Sequence, residues 1–137
     1  VLPGGKVFAF DIIERNIRVA SSHMKKHKHV NFYYHNSLDH FKTSVKLPKI
    51  DALISTGTLS YLQNPQVVLK HLGEKVKKGG RVVFLDYDQF FYFIPNVPWI
   101  SNEVKITRMF KQAGFKVKMT KKRGILWRYI FIHGEKV

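Results

Sequence analysis

Few side chains in this sequence combine the type and the setting that chemistry requires. Asp11 closes the apolar run at residues 6–12 (KVFAFDI). A carboxylate at the C-terminal edge of a parallel strand can accept hydrogen bonds from both hydroxyls of a ribose, and open parallel sheets bind ligands at that edge. The same Asp, with Glu14 three residues on, also has the spacing of a helix capping box. A second acidic end, Asp86-Tyr87-Asp88, follows the apolar run at residues 81–86 (RVVFLD). Asp88 there can orient a substrate donor or act as a general base, or it is an ordinary loop residue. His23 and His27 share a helical face, with His29 nearby, but Lys25, Lys26 and Lys28 repel a cation and no carboxylate ligand is close in sequence. These histidines read as a solvated helix end. With no cysteine in the chain, disulfide frameworks, cysteine-ligated zinc, iron–sulfur clusters and thiol nucleophiles are excluded together.

The elements that must position these residues are legible from pattern. The chain has 137 residues, 45% of them apolar, and no stretch resembling a membrane span or a signal peptide. This is the composition of one soluble domain, expected in the cytoplasm. Short apolar strands fall at residues 6–12, 30–35, 51–55 and 81–86. A helix with Ile17, Ala20 and Met24 on one side follows the first, with Glu14 in its first turn and lysines in its last. Asn64-Pro65 starts a second helix whose stripe is Val68, Leu69, Leu72 and Val76, with Gly79-Gly80 as its stop. Ser101 caps a third, with Ile106, Met109, Phe110 and Ala113 inward and Gly114 at its end. Residues 115–120 and 125–133 then bracket a turn at 121–124. The alternation predicts an α/β fold: a doubly wound, mostly parallel sheet with helices on both faces, closed by an antiparallel hairpin. The strand at 81–86 reads as too uniformly apolar to have a wet face.

Residues 51–86, DALISTGTLSYLQNPQVVLKHLGEKVKKGGRVVFLD, resemble the central segment of class I S-adenosylmethionine-dependent methyltransferases. In that family a strand ends in a short polar loop, and a Leu-containing turn, an Asn/Asp-Pro helix and a Lys-x-Gly-Gly turn into an apolar strand follow. Upstream, LPGGKVFAFDI resembles the family's second strand with its terminal acid. Downstream, MFKQAGFKVKMTKKRGILWRYIFIHG is similar to its last helix, its "AGF" turn and its closing hairpin. The family's Gly-rich loop lies after its first strand, about 20 residues before the ribose-binding acid. Counting back that far from Asp11 passes residue 1. The chain is therefore expected to be a single methyltransferase-like domain truncated at its N-terminus, without that strand and loop, and inactive on its own.

The resemblance implies the cofactor S-adenosyl-L-methionine and a set of contacts. Asp11 and Ile12 stand at the ribose. His35-Asn36-Ser37 stands where the family presents a short acidic or amide motif to the adenine, with Asn36 where Asp is commoner, and Leu38 as an apolar wall; the local alternative is an Asx turn. Ser55, Thr56 and Gly57 approach the methionine moiety, glycine permitting close contact, or they simply satisfy their own loop. Tyr61 borders the transfer centre or packs in the core. Tyr61 and Asp88 are the weak catalytic candidates. No fixed base is implied, because methyl transfer from a sulfonium depends chiefly on alignment.

The acceptor expected from the resemblance is a small molecule or a lipid, and the aromatic run Phe90, Phe91, Tyr92, Phe93 with Pro95, Pro98 and Trp99 is either a lid over an apolar acceptor or a cover on the sheet edge. Twenty-four Lys and Arg against nine Asp and Glu give +15, and residues 104–134 hold nine basic residues and no acid. Such a field attracts nucleic acid or anionic membrane without proving either. The basic hairpin from Lys116 to Arg128, with Lys118, Lys121, Lys122 and Arg123 and with Trp127 and Tyr129 interleaved, is the place for a nucleic-acid partner. Two further readings are thus a nucleic-acid methyltransferase and a non-catalytic domain that binds a polyanion or a protein. A nicotinamide enzyme is disfavoured by the closing hairpin.

Overall fold

The computed structural model describes residues 4–34 and 47–137. The chain divides into two compact units, Val1–Phe41 and Lys42–Val137. In the first, β1 (Val7–Asp11) and β2 (Val30–Tyr34) pair in parallel, with Val7 opposite Val30 and Asp11 opposite Tyr34. Parallel neighbours need a crossover, supplied by α1 (Glu14–His23). Phe10 stacks on Tyr33 with ring centroids 4.9 Å apart, the aromatic cross-strand pair on one face.

The second unit begins with β3 (Ile50–Thr56), which pairs in parallel with β4 (Val76–Phe90) across α2 (Pro65–Lys75). A short β5 (Ile94–Pro95) folds back on the end of β4. α3 (Glu103–Gln112) then leads into the hairpin of β6 (Phe115–Arg123) and β7 (Trp127–Lys136). The order is β3-β4-β7-β6, with β7 antiparallel to both neighbours. The core lies on one face of this sheet. Val82, Phe84, Ile130 and Ile132 are buried there against Val68 and Leu69 of α2 and Ile106, Met109 and Phe110 of α3, with the rings of Phe84 and Phe110 meeting edge to face at 5.1 Å. α2 runs so close to the end of α3 that a Cβ on Gly73 would stand 2.1 Å from the Ala113 carbonyl oxygen. Gly114, at φ +80°, is the left-handed residue that ends α3.

Several boundaries differ from the expectation. α2 stops at Lys75 rather than at Gly79-Gly80, because Val76 already pairs with Ile50 at the start of β4. β4 runs on past Asp86 to Phe90, because β7 offers it an antiparallel partner as far as Trp127. α3 is capped by Asn102, whose side-chain oxygen accepts from the Lys105 amide at 2.9 Å, while Ser101 Oγ donates instead to the Asp88 carbonyl. The hairpin turn lies at 124–126, not 121–124, since the ladder continues to Arg123 opposite Arg128. The second face of β4 is also not dry. Val83 is exposed, and Ile54, its neighbour on β3, is 75% exposed. No helix among the described residues is long and apolar enough to cross a membrane.

Candidate functional site

Asp11 ends β1 with its carboxylate partly committed. Oδ1 accepts the Ile13 amide at 2.8 Å and Oδ2 accepts Asn16 Nδ2 at 2.9 Å. Asp11 is not the helix cap that its spacing with Glu14 suggests, because Ile13 stands at the N-cap position and no side chain caps α1. A carboxylate has about four acceptor sites, so one bond per oxygen leaves capacity for a second donor at each. Ile12 follows directly, half-buried. His35, Asn36, Ser37 and Leu38 lie outside the described residues.

In the second unit the ends of β3 and β4 gather several polar groups. Ser55 and Thr56 close β3 opposite Phe84 and Leu85. Gly57 extends the ladder by one bond, its amide donating to the Leu85 carbonyl at 2.8 Å, and then turns the chain at φ +60°. The space beside its Cα is open to 4 Å, so glycine is required by conformation and not by crowding. Thr58 Oγ1 donates back to the Thr56 carbonyl at 3.1 Å. The 3-10 turn Leu59–Tyr61 then crosses the end of β4 and leaves Tyr61 exposed, not in the core.

Beneath that turn sits Asp86, which sequence reading left without a role. It is buried, and its carboxylate accepts the Ser60 amide at 3.2 Å and the Tyr87 amide at 2.9 Å. Burial pushes its carboxyl above the ordinary range, and the amides of Tyr87, Ser60 and Leu59 pull only partly against this. The neighbouring Tyr87 phenol is also raised, first by burial and then by the nearby Tyr61 and Asp86. The only advance signal was an acid closing four apolar residues.

Asp88 stands differently. β4 carries a bulge between Tyr87 and Gln89, so Asp88 is the extra residue in the ladder, and its side chain is buried on the face that Val82, Phe84 and Asp86 share. There Arg128 grips it with two bonds, Nε to Oδ1 at 2.9 Å and a terminal nitrogen to Oδ2 at 2.6 Å. Lys121 Nζ lies 3.3 Å from the same Oδ2 and 2.8 Å from Glu103. Burial pushes the Asp88 carboxyl up, but the hydrogen bonds and charges of Arg128 and Lys121 outweigh it and hold the group below the ordinary range. A low pKa and two cationic partners suit an anchor better than a proton acceptor. The basic hairpin therefore splits by alternation. Lys116, Lys118 and Lys122 stand exposed on one side, opposite Glu135, His133 and Tyr129, while Lys121 and Arg128 turn in to Asp88. Trp127 packs on Tyr87 and Phe90 at 4.7 and 4.2 Å.

This strand order, with an antiparallel β7 inserted between β4 and β6, departs from an uninterrupted parallel winding at its close. A family described as "Methyltransferase domain" matches residues 1–126. The chain belongs to that methyltransferase family. The fold is the Rossmann-like one of its class I members. Among solved structures it is similar to the N-methyltransferase NodS from Bradyrhizobium japonicum in complex with S-adenosyl-l-homocysteine, at TM-score 0.73 and 12% identity over 96% of this chain and 66% of that one. It is similar to TehB from Haemophilus influenzae at TM-score 0.74 and 14% identity, covering 98% and 51%. It is also similar to the [4+2]-cyclase SpnF, at TM-score 0.71 and 11% identity over 96% and 67%. The chain thus spans about two thirds or less of the length of these three relatives. A comparison with curated proteins finds no match.

Proposed function

We propose that this methyltransferase chain uses S-adenosyl-L-methionine to methylate a small-molecule or lipid acceptor. The observation that carries the reading is the family match over residues 1–126 on a sheet closed by an inserted antiparallel strand. The residues present fit such a cofactor: Asp11 keeps acceptor capacity at a parallel strand end, and Gly57 bares open backbone at another. When bound, the cofactor supplies a methyl group activated on a sulfonium, which an acceptor lone pair takes as the carbon–sulfur bond breaks. By the family resemblance, Asp11 and Ile12 would meet the ribose of a bound cofactor, and Asn36, Ser37 and Leu38 are the expected adenine contacts. Ser55, Thr56 and Gly57 would meet the methionine end by the same resemblance, and Tyr61 is an exposed phenol in the turn that follows them. Asp88 fixes β4 to β7 and takes no proton. Alignment rather than base strength lowers the barrier.

Calorimetric titration of the full-length protein with S-adenosylmethionine tests this. Asp11→Ala weakens binding by about tenfold or more if the carboxylate holds charge-assisted bonds to ribose. Unchanged affinity returns Asp11 to its bonds with Ile13 and Asn16 alone, and absence of any heat in the parent removes the cofactor reading. The exposed row Lys116, Lys118 and Lys122 favours one second reading, a polyanion as acceptor or as partner of a non-catalytic domain. A steep salt dependence with no preference among RNA, DNA and heparin would mark bulk electrostatics instead.

A further inference from the structure

Two tight turns meet at one end of the second unit, where β4 runs into β5 and β6 into β7. Phe90 pairs with Trp127 across the ladder, so both turns project from the C-terminal end of β4. They are tied together: the Phe91 amide donates to the Leu126 carbonyl at 2.8 Å, and the Tyr92 hydroxyl donates to the carbonyls of Gly124 and Ile125. The side chains they present outward are apolar. Ile125 is 94% exposed and Phe93 74%, with Phe91, Ile94 and Leu126 exposed beside them.

The first turn breaks a local rule. Phe91 and Tyr92 both have positive φ, 46° and 66°, and the Phe93 amide bonds back to the Phe90 carbonyl at 3.3 Å. Phe90–Phe93 form a turn with the two positive-φ centres that Asn-Gly normally supplies, inside a three-residue loop closed by Phe90 opposite Ile94. Bulky aromatic residues resist that conformation, and here the bonds from the second turn hold them in it. A turn that presents rings at such expense to its backbone points to what the rings touch.

The surrounding charge selects the partner. Residues 89–102 carry no charged side chain. The cations at the base of the second turn are Lys122 and Arg123, both exposed, and Arg123 lies over the Tyr92 ring at 5.1 Å. Of the two acids in the ion-pair cluster behind the turns, Asp88 is buried and paired with Arg128, and Glu103, though exposed, is held by Lys121. Phenylalanine and isoleucine at a tip, tyrosine behind them and cations behind those follow the layers of an anionic bilayer from acyl chain to headgroup. We infer that the paired turns at 91–94 and 124–126 form a docking surface for an anionic phospholipid bilayer. Phe93 and Ile125 enter the acyl boundary while Lys122 and Arg123 meet the phosphates. A protein partner with an apolar groove would leave this cationic collar without an assigned role, whereas a lipid headgroup layer uses both. The inference does not depend on methyl transfer.

Vesicle co-sedimentation of the full-length protein tests it. The parent sediments with phosphatidylcholine vesicles doped with phosphatidylglycerol and less with phosphatidylcholine alone. The double variant F93S/I125S loses about tenfold or more of the vesicle affinity, since two large apolar side chains no longer leave water, while its heparin affinity and melting temperature stay those of the parent. Equal sedimentation of variant and parent assigns the binding to bulk charge and overturns the proposal. Failure of the parent to sediment overturns it too. A second readout uses the conservative change F93W: emission from the added indole shifts to shorter wavelength with the doped vesicles and not with heparin. Emission unmoved by vesicles is equally fatal.

Discussion

Asp86 and Asp88 stand two positions apart on β4, both buried, and respond to pH in opposite senses. Asp86 is raised by burial above its ordinary value of 3.8, so the folded state holds its proton more tightly than the unfolded chain does. Stability is then unimpaired below that ordinary value and falls as pH rises through the folded value. Asp88 is lowered; its contribution is present above the ordinary value and is lost as pH falls through the folded one. Asp86→Asn removes the charge and keeps an oxygen for only one of the two amides, because the Tyr87 amide bonds to Oδ1 and the Ser60 amide to Oδ2. Its melting temperature relative to the parent is expected to rise from the acid range to neutral pH, as thermal scans across pH would show. A gap independent of pH would mean that the two amides already support the charge. Asp11 was readable in the sequence as an acid ending a strand, but its capping role was not met, since Ile13 stands at the N-cap with no side-chain bond. The fates of Asp86 and Asp88 were not readable, because the turn that brings the Ser60 amide onto the one and the reach of Arg128 from 40 residues away onto the other decide them.

At the scale of elements, what could be read was whatever local chemistry decides. Pro65 at the head of α2 and Gly114 past the end of α3 were placed by sequence alone. What a distant strand decides was not readable. Val76 has helical spacing and leaves the helix because Ile50 pairs with it, and β4 outruns its apolar residues because β7 is there to pair. The Ser101 cap failed by one residue, its hydroxyl drawn to the Asp88 carbonyl and Asn102 taking the role. Gly73 gives a test of packing against propensity. An exposed mid-helix Gly→Ala change gains about 1 kcal/mol. Here the new methyl would meet the Ala113 carbonyl at 2.1 Å, an oxygen already bonded to Lys136 Nζ, and overpacking of that kind costs about 1–3 kcal/mol. Gly73→Ala is therefore expected to lower the midpoint of chemical denaturation. A raised midpoint would show that α2 can slide away from α3.

For the whole molecule the opposing quantities are charge and uncovered sheet. The net charge of +15 keeps copies apart. Among the described residues, however, β3 pairs on one side only, with Ile54 and Val83 exposed beside that edge, and an open strand edge invites pairing with another chain. Salt screens the repulsion, with a Debye length of about 10 Å at 0.1 M and about 3 Å at 1 M, and leaves the apolar attraction. The 137-residue chain is therefore expected to associate as salt is raised. Sedimentation velocity would detect this as a growing weight-average coefficient, and a single monomer boundary at every ionic strength would refute it. The fold class was legible at this scale because alternation of strand and helix survives local errors of boundary. The wet second face was not, since residues 81–86 are apolar on both sides whether or not anything covers them.

β7, the last strand among the described residues, is an interior member of its sheet, and Arg81 meets Glu135, 54 positions further along the chain. During synthesis, then, β4 must wait beside an unfilled lane until β7 has left the ribosome. A nascent chain halted before β7 emerges has α2 and α3 formed over a sheet split down its middle.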